Sequence, residues 1–260
     1  MMRQLTPTIG ALAVLVGWSE PGFAQQVSDC AEISARDTLE VETDYVQSHG
    51  DGGLVNTGVA LVKYSIGNTL QLQLGTDNLV TVQRGTATAL LDGVYLGPKL
   101  VVVSQTEQRP AVAVSAVVAL PTRGDPDALT QTVDTYVWGY LSKDLRGVHA
   151  DLNLGLNVLS IDARPAIQLI AAAAVSRALS DRVGAALELY TFEGGGAYAE
   201  HDAGALTALS YTAAPWLTVQ AGADVALYRD VRSLTLFAAV TVVAYRRARP
   251  DDRGTLAASK

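Results

Sequence analysis

From Asp37 onward the chain keeps returning to one pattern: short runs in which every second residue is apolar, bounded by Gly, Pro, Asn, Asp and Ser. In the clearest run Val148, Ala150, Leu152, Leu154, Leu156 and Val158 alternate with His149, Asp151, Asn153, Gly155 and Asn157. The same holds for Leu217, Val219, Ala221, Ala223, Val225 and Leu227 against Thr218, Gln220, Gly222, Asp224 and Ala226, and for Leu70, Leu72 and Leu74 against Gln71, Gln73 and Gly75. A period of two sends successive side chains to opposite faces of a sheet, and helical spacing does not fit it. The chain is 49% hydrophobic and 17% charged, yet beyond its first residues no stretch stays apolar for the ~20 residues that a spanning helix needs. Such a chain either buries its apolar faces in a large soluble core, as an exported β-sandwich would, or turns them toward lipid.

Strand composition recurs in about twelve segments rich in Val, Leu, Thr and Tyr. The expected strands are 38–48, 54–66, 69–76, 93–104, 111–121, 135–144, 148–159, 166–179, 183–192, 205–212, 217–228 and 234–245. Two of them, Ala111 to Leu120 and Ile167 to Val175, are apolar at nearly every position, and the second reads equally as a short buried helix. The odd-numbered connections (49–53, 77–92, 122–134, 160–165, 193–204, 229–233) read longer than most even-numbered ones (67–68, 105–110, 145–147, 180–182, 213–216). Outer-membrane barrels have an even strand number, short periplasmic turns and longer outer loops. In that frame Tyr45, Tyr95, Tyr136, Tyr190, Phe192 and Tyr228 fall near the outer strand ends. Tyr64, Tyr211, Trp216 and Tyr245 fall near the inner ends, giving two interfacial belts. The expected fold is therefore all-β: a closed antiparallel transmembrane β-barrel of about 12 strands, in a bacterial outer membrane and in contact with its lipid.

The first residues are a targeting signal rather than part of the fold. Arg3 stands in a polar start, Ile9 to Trp18 is apolar, and small residues lead to a cut after Ala24; an N-terminal anchor is the alternative, but the apolar run is short for one. The division is residues 1–24 signal peptide, 25–36 a short N-terminal segment, 37–245 barrel and 246–260 a polar tail. Cleavage removes Arg3 and Glu20 together, so the mature net charge stays at −7. This acidic balance argues against a nucleic-acid partner, whose binders cluster Lys and Arg. The lone Cys30 has no internal disulfide partner; lipid attachment there is disfavoured by Val27, Ser28 and Asp29 before it.

The middle of the chain resembles the outer-membrane family of the meta-pathway of phenol degradation. The residues that carry this are Gly97, Pro98 and Lys99, then Arg109 and Pro110 before AVAVSAVVALPT ending at Thr122, then Gly124 and Asp125. Asp134, Ser142, Lys143, Asp144, Leu145 and the run His149 to Gly155 follow. Arg123 intervenes where family members carry Gly directly after the Pro-Thr pair. The resemblance spans roughly residues 97–155 and implies a barrel that passes organic, often aromatic, compounds across the outer membrane.

Glu40, Glu42, Asp44, Asp151, Asn153, Glu188 and Asp224 lie on the polar faces of their strands and are the candidate lumen-facing residues. They make either a solvated channel wall or an acidic constriction that favours cations or amines, offset in part by Lys63 and Lys99. No enzyme is expected. His49 and His201 fall in expected outer loops, and His149 has no serine at a telling spacing for a membrane hydrolase. No His or Cys pair has metal-ligand spacing, so neither metal nor cofactor is expected. Gly194, Gly195 and Gly196 lack the flanking residues of a phosphate cradle. The expected function is a passive outer-membrane pore for small organic solutes; the alternative is a plugged structural or adhesive outer-membrane barrel without transport.

Overall fold

A computed structural model describes residues 28–50, 53–83, 86–120, 133–161, 164–196, 201–228 and 234–246. The expected signal peptide, all of the expected tail but Arg246 and the resemblance residues Thr122, Gly124 and Asp125 lie outside the described residues, as does Arg123. Twelve strands follow in order: β1 (Thr38–Gly50), β2 (Gly53–Ile66), β3 (Leu70–Gln83), β4 (Thr86–Val103), β5 (Ala111–Leu120), β6 (Asp134–Leu145), β7 (Val148–Ile161), β8 (Arg164–Ala178), β9 (Val183–Gly196), β10 (His201–Ala214), β11 (Leu217–Tyr228) and β12 (Leu234–Arg246). Each pairs antiparallel with its neighbours in sequence, and β1 pairs with β12, so the sheet closes into a barrel without a free edge.

The twofold period decides which side chain meets which medium. On β7, Asp151, Asn153, Gly155 and Asn157 are buried while Leu152, Leu154, Leu156 and Val158 are exposed. In a closed barrel the buried set faces inward, so the exposed Leu and Val residues form an outer apolar band. Leu72, Leu74, Leu96, Leu100, Leu187, Leu189 and Leu209 continue that band around the wall. This is the pattern of a barrel standing in an outer membrane, with lipid as its outer partner.

Ala111 to Leu120 and Ile167 to Val175 are both strands, and the short-helix alternative for the second is overturned. Their alternation is one of burial, not polarity: Ala111, Ala113, Val117 and Ala119 face inward on β5, and Ile170, Ala172 and Ala174 on β8. Small apolar residues stand there because the lumen beside them is filled by other side chains rather than by water.

The expected long loop 77–92 is also corrected. Strands β3 and β4 continue through it, pairing as far as Gln83 with Thr86. Its Asp, Asn and Gly read as loop formers, but the backbone ladder runs on through Asn78 with Asp92, Val80 with Leu90, Thr81 with Thr88 and Val82 with Ala87. Strand extension likewise takes up most of the expected connection 193–204, so His49 and His201 stand in strands rather than loops. The opposite end keeps its tight turns. Leu145 pairs with Val148 across Arg146 and Gly147, whose φ angles of 53° and 84° are those of a two-residue type I′ hairpin.

The lipid-facing assignment makes a direct prediction. Leu154, 62% exposed at the middle of β7, changed to Arg should lower folding stability in vesicles by about 2–4 kcal/mol, measured by urea titration with heat-modifiable gel migration as the folding readout.

Candidate functional site

The lumen is not an empty tube. Residues Ser28 to Arg36 precede β1, and Ser28, Asp29, Cys30, Ala31, Ile33 and Ser34 are all buried within the barrel. The segment enters from the end that carries the tight turns. Asp37, at φ 58°, turns the chain back on itself, and its amide donates to the Ser65 carbonyl at 2.9 Å.

Each anchor of this segment is a side chain of the inner wall. Close to the turn, Ser34 Oγ donates to Glu40 at 2.9 Å and accepts from Gln71 at 3.4 Å. Next along, the Ala31 amide donates to Ser142 Oγ at 2.6 Å. Lys99 donates to the Asp29 carboxylate and to the Cys30 carbonyl, each at 2.5 Å, and Asn153 Nδ2 donates to the Asp29 carbonyl at 2.7 Å. Deepest, Ser28 gives its amide and hydroxyl to the two oxygens of Glu188, at 3.2 and 2.9 Å. Ala31 and Ile33 complete the apolar side, sharing one cluster with Tyr95, Trp138, Tyr140, Tyr190 and Phe192.

Tyr95, Tyr190 and Phe192 were expected in an outer interfacial belt, and this is overturned. They point inward and are buried, and Tyr136 is half-buried against the same cluster. Tyr45, Tyr64, Tyr211, Trp216 and Tyr228 are exposed, while the side chain of Tyr245 lies outside the described residues. Four inward rings share one device. Tyr95, Trp138, Tyr190 and Phe237 each stand opposite a glycine on the next strand, respectively Gly75, Gly155, Gly204 and Gly222. A Cβ on any of the four would come within 3 Å of the ring, so the glycine makes room for the ring against the wall.

The seven expected lumen residues divide into several groups. Glu40 and Glu42 are buried on β1 with Lys63 of β2, whose ammonium lies 3.7 and 2.8 Å from their carboxylates. Asp44 is the next inward position of β1 and is half-buried. Asp224 accepts from the Tyr190 hydroxyl at 2.7 Å. Asp151 accepts from Ser142 at 2.5 Å and meets His149 at 3.1 Å, while Asn153 and Glu188 hold the inner segment. Apart from Asp44, the carboxylates are therefore each held by a cation or a hydrogen-bond donor rather than gathered in a bare acidic ring.

Ser142, His149 and Asp151 adjoin one another, but not in the serine–histidine–carboxylate order of a hydrolase triad. Both His149 nitrogens lie on carboxylates, Asp144 at 2.7 Å and Asp151 at 3.1 Å. Ser142 accepts from Ala31 and donates to Asp151, so its hydroxyl proton points at a carboxylate and not at His149. His201 is bonded to Glu193 on the facing strand.

The inner segment is the part of the site that sequence reasoning missed. Its residues have no period, and only the small inward faces of β5 and β8 hinted that something packs there. Several residues that carry the family resemblance surround it or brace its surroundings. Lys99, Ser142 and Asn153 hold the segment directly, and Lys143 donates to the carbonyls of Thr106 at 2.5 Å and Glu107 at 2.9 Å, tying down the 104–110 turn. Gly97 lets β4 lie against Ala116 and Val117, where a Cβ would meet the Ala116 carbonyl at 2.1 Å. The placement of Cys30 inside the wall is incompatible with a lipid anchor; burial, reinforced by Asp29, pushes its thiol well above the usual range and keeps it protonated.

No family model and no curated protein matches the chain. Its structure is similar to the COG4313 outer membrane channel from Pseudomonas putida F1, at 10% identity and a TM-score of 0.61 over 82% of this chain and 97% of that one. The fold is that of outer-membrane channel barrels. NanC porin gives 10% identity and a TM-score of 0.58 over 77% of this chain and 98% of that one. KdgM porin gives 12% and 0.51 over 78% and 99%.

The buried charges beside the turn end carry a testable cost. Lys63→Met leaves Glu40 and Glu42 buried without their cation and should destabilise the barrel by about 3–5 kcal/mol. Adding Glu40→Gln and Glu42→Gln should recover most of that loss in the same urea titration.

Proposed function

We propose that the barrel is a pore that admits small organic solutes, aromatic ones among them, through the outer membrane without enzymatic turnover. The observation that carries this reading is the character of the lumen. Rings of Tyr95, Trp138, Tyr140, Tyr190 and Phe192 share the inner wall with Lys99, Asn153, Glu188 and Asp224. Such a wall offers an apolar body a surface to slide along while its polar groups stay hydrogen-bonded, which suits compounds that are part ring and part polar. Twelve strands enclose a lumen between the filled interior of eight-stranded barrels and the open channel of porins. The resemblance to the phenol meta-pathway family supports the same solute class, and the likeness in fold to outer-membrane channels is consistent with it.

In this reading Glu40, Glu42, Asp44, Asp151, Asn153, Glu188 and Asp224 line the passage, with Glu40 and Glu42 matched by Lys63 and Asp151, Glu188 and Asp224 each accepting a hydrogen bond. That favours a weakly selective wall over an acidic constriction. A second reading, a plugged structural barrel, draws on the segment Ser28 to Arg36 inside the lumen.

Planar-bilayer conductance separates the two. The full chain should give small or intermittent currents, and deletion of residues 28–36 should give a larger and steadier one. A correctly folded deletion variant that carries no current would exclude the pore and leave the structural barrel.

A further inference from the structure

Lys99 is a buried cation whose counter-charge comes from outside the barrel wall. Its side chain is wholly buried, with the ammonium 4.4 Å from the centre of the Tyr140 ring. Among the described residues both of its hydrogen-bond acceptors belong to the N-terminal segment, the Asp29 carboxylate and the Cys30 carbonyl. The wall carboxylate Asp151 is committed to Ser142 and His149, and Glu188 to Ser28. The cation is thus built into the wall, and the anion that satisfies it is carried on a tether.

The remainder of the tether has a matching chemistry. Two and four residues beyond Asp29, Ala31 and Ile33 sit in the cluster of Tyr95, Trp138 and Tyr140. Of the segment's two carboxylates, Asp29 and Glu32, Asp29 is the one that accepts from Lys99, and the apolar Ala31 and Ile33 pack beside that seat. It belongs to no strand, and its hold on the wall is through wall side chains. Releasing it breaks no part of the barrel ladder. Its root is the left-handed turn at Asp37, fixed to Ser65.

We propose that the seat of Asp29 and Ala31 is a binding site for small organic carboxylates with an apolar or aromatic body, and that residues 28–36 are its tethered competitor. This rests on the pore reading and names its solute class. The reason for a carboxylate is the exchange itself. A buried ammonium stripped of its partner is strongly unfavourable, so the segment leaves readily only when another anion takes the place of Asp29. A neutral solute of the same shape fills the apolar part of the seat but leaves Lys99 unpaired. A ligand shifts such an equilibrium only by binding one state better than the other.

The chain contains one cysteine, Cys30, and it lies on the tether, so its thiol reports release in the full-length protein. We would measure its labelling by a water-soluble methanethiosulfonate in lipid vesicles, with benzoate, benzyl alcohol or matched sodium chloride added. Benzoate at roughly ten times its Kd should raise the labelling rate about tenfold, because the released population grows as one plus ligand over Kd. Benzyl alcohol and salt should leave the rate near its starting value. Lys99→Gln should label fast without solute and lose the benzoate response. Asp29→Asn leaves the wall intact, and should label faster while needing less benzoate. Equal acceleration by benzyl alcohol would overturn the carboxylate class. So would an unresponsive native protein alongside a readily labelled Asp29→Asn variant. A benzoate response in a protein whose 28–36 deletion carries no current would leave the site standing and discard the pore; current without the response would do the reverse.

Discussion

A backbone in hydrocarbon has no water to bond, so every amide and carbonyl that crosses the membrane must find a partner within the protein. The pairing of β1 with both β2 and β12 meets that demand, and the remaining features follow from it. Closure with an even number of strands brings the start of β1 and the end of β12 to the same rim. The residues before β1 therefore emerge beside the mouth of the tube, and the turn at Asp37 sends them inside. Closure also gives each strand two media, lipid outside and an enclosed space inside, which is why the residue pattern runs in twos.

The enclosed space follows different rules from the outer face. Outside, bulk apolar area is enough, and Leu and Val supply it almost interchangeably. Inside, charged groups are desolvated as surely as in a soluble core, so they are set against specific partners: Lys63 against Glu40 and Glu42, Lys99 against Asp29, Asp224 against the Tyr190 hydroxyl. Bulk is matched in the same way, with rings set opposite glycines on the facing strand. The inner wall thus carries most of the chain's specific chemistry.

This division explains what was legible in the sequence. Strand number, topology and the lipid-facing positions of β3, β7 and β11 could be read because lipid demands a regular, local signal. The ends of β3 and β4 could not, since Asp77, Asn78 and Asp92 look like loop residues when the cross-strand pairs around them are unseen. The inward turn of Tyr95 and Tyr190 was hidden for a related reason: a tyrosine near a strand end suits a membrane interface, and only its partner glycine on another strand reveals that it points inside. The inner segment was the least legible. Its partners lie 70 residues away for Lys99 and 160 for Glu188, and nothing in residues 25–36 alone signals a position.

Those separations bear on how the molecule is assembled. Ser28 leaves the cytoplasm ahead of every strand, yet its partner Glu188 belongs to the ninth of them. The segment before β1 has no seat to take until the ninth strand stands in the wall. Its settling therefore follows the wall that holds it, so a stretch that precedes every strand is among the last to find its place.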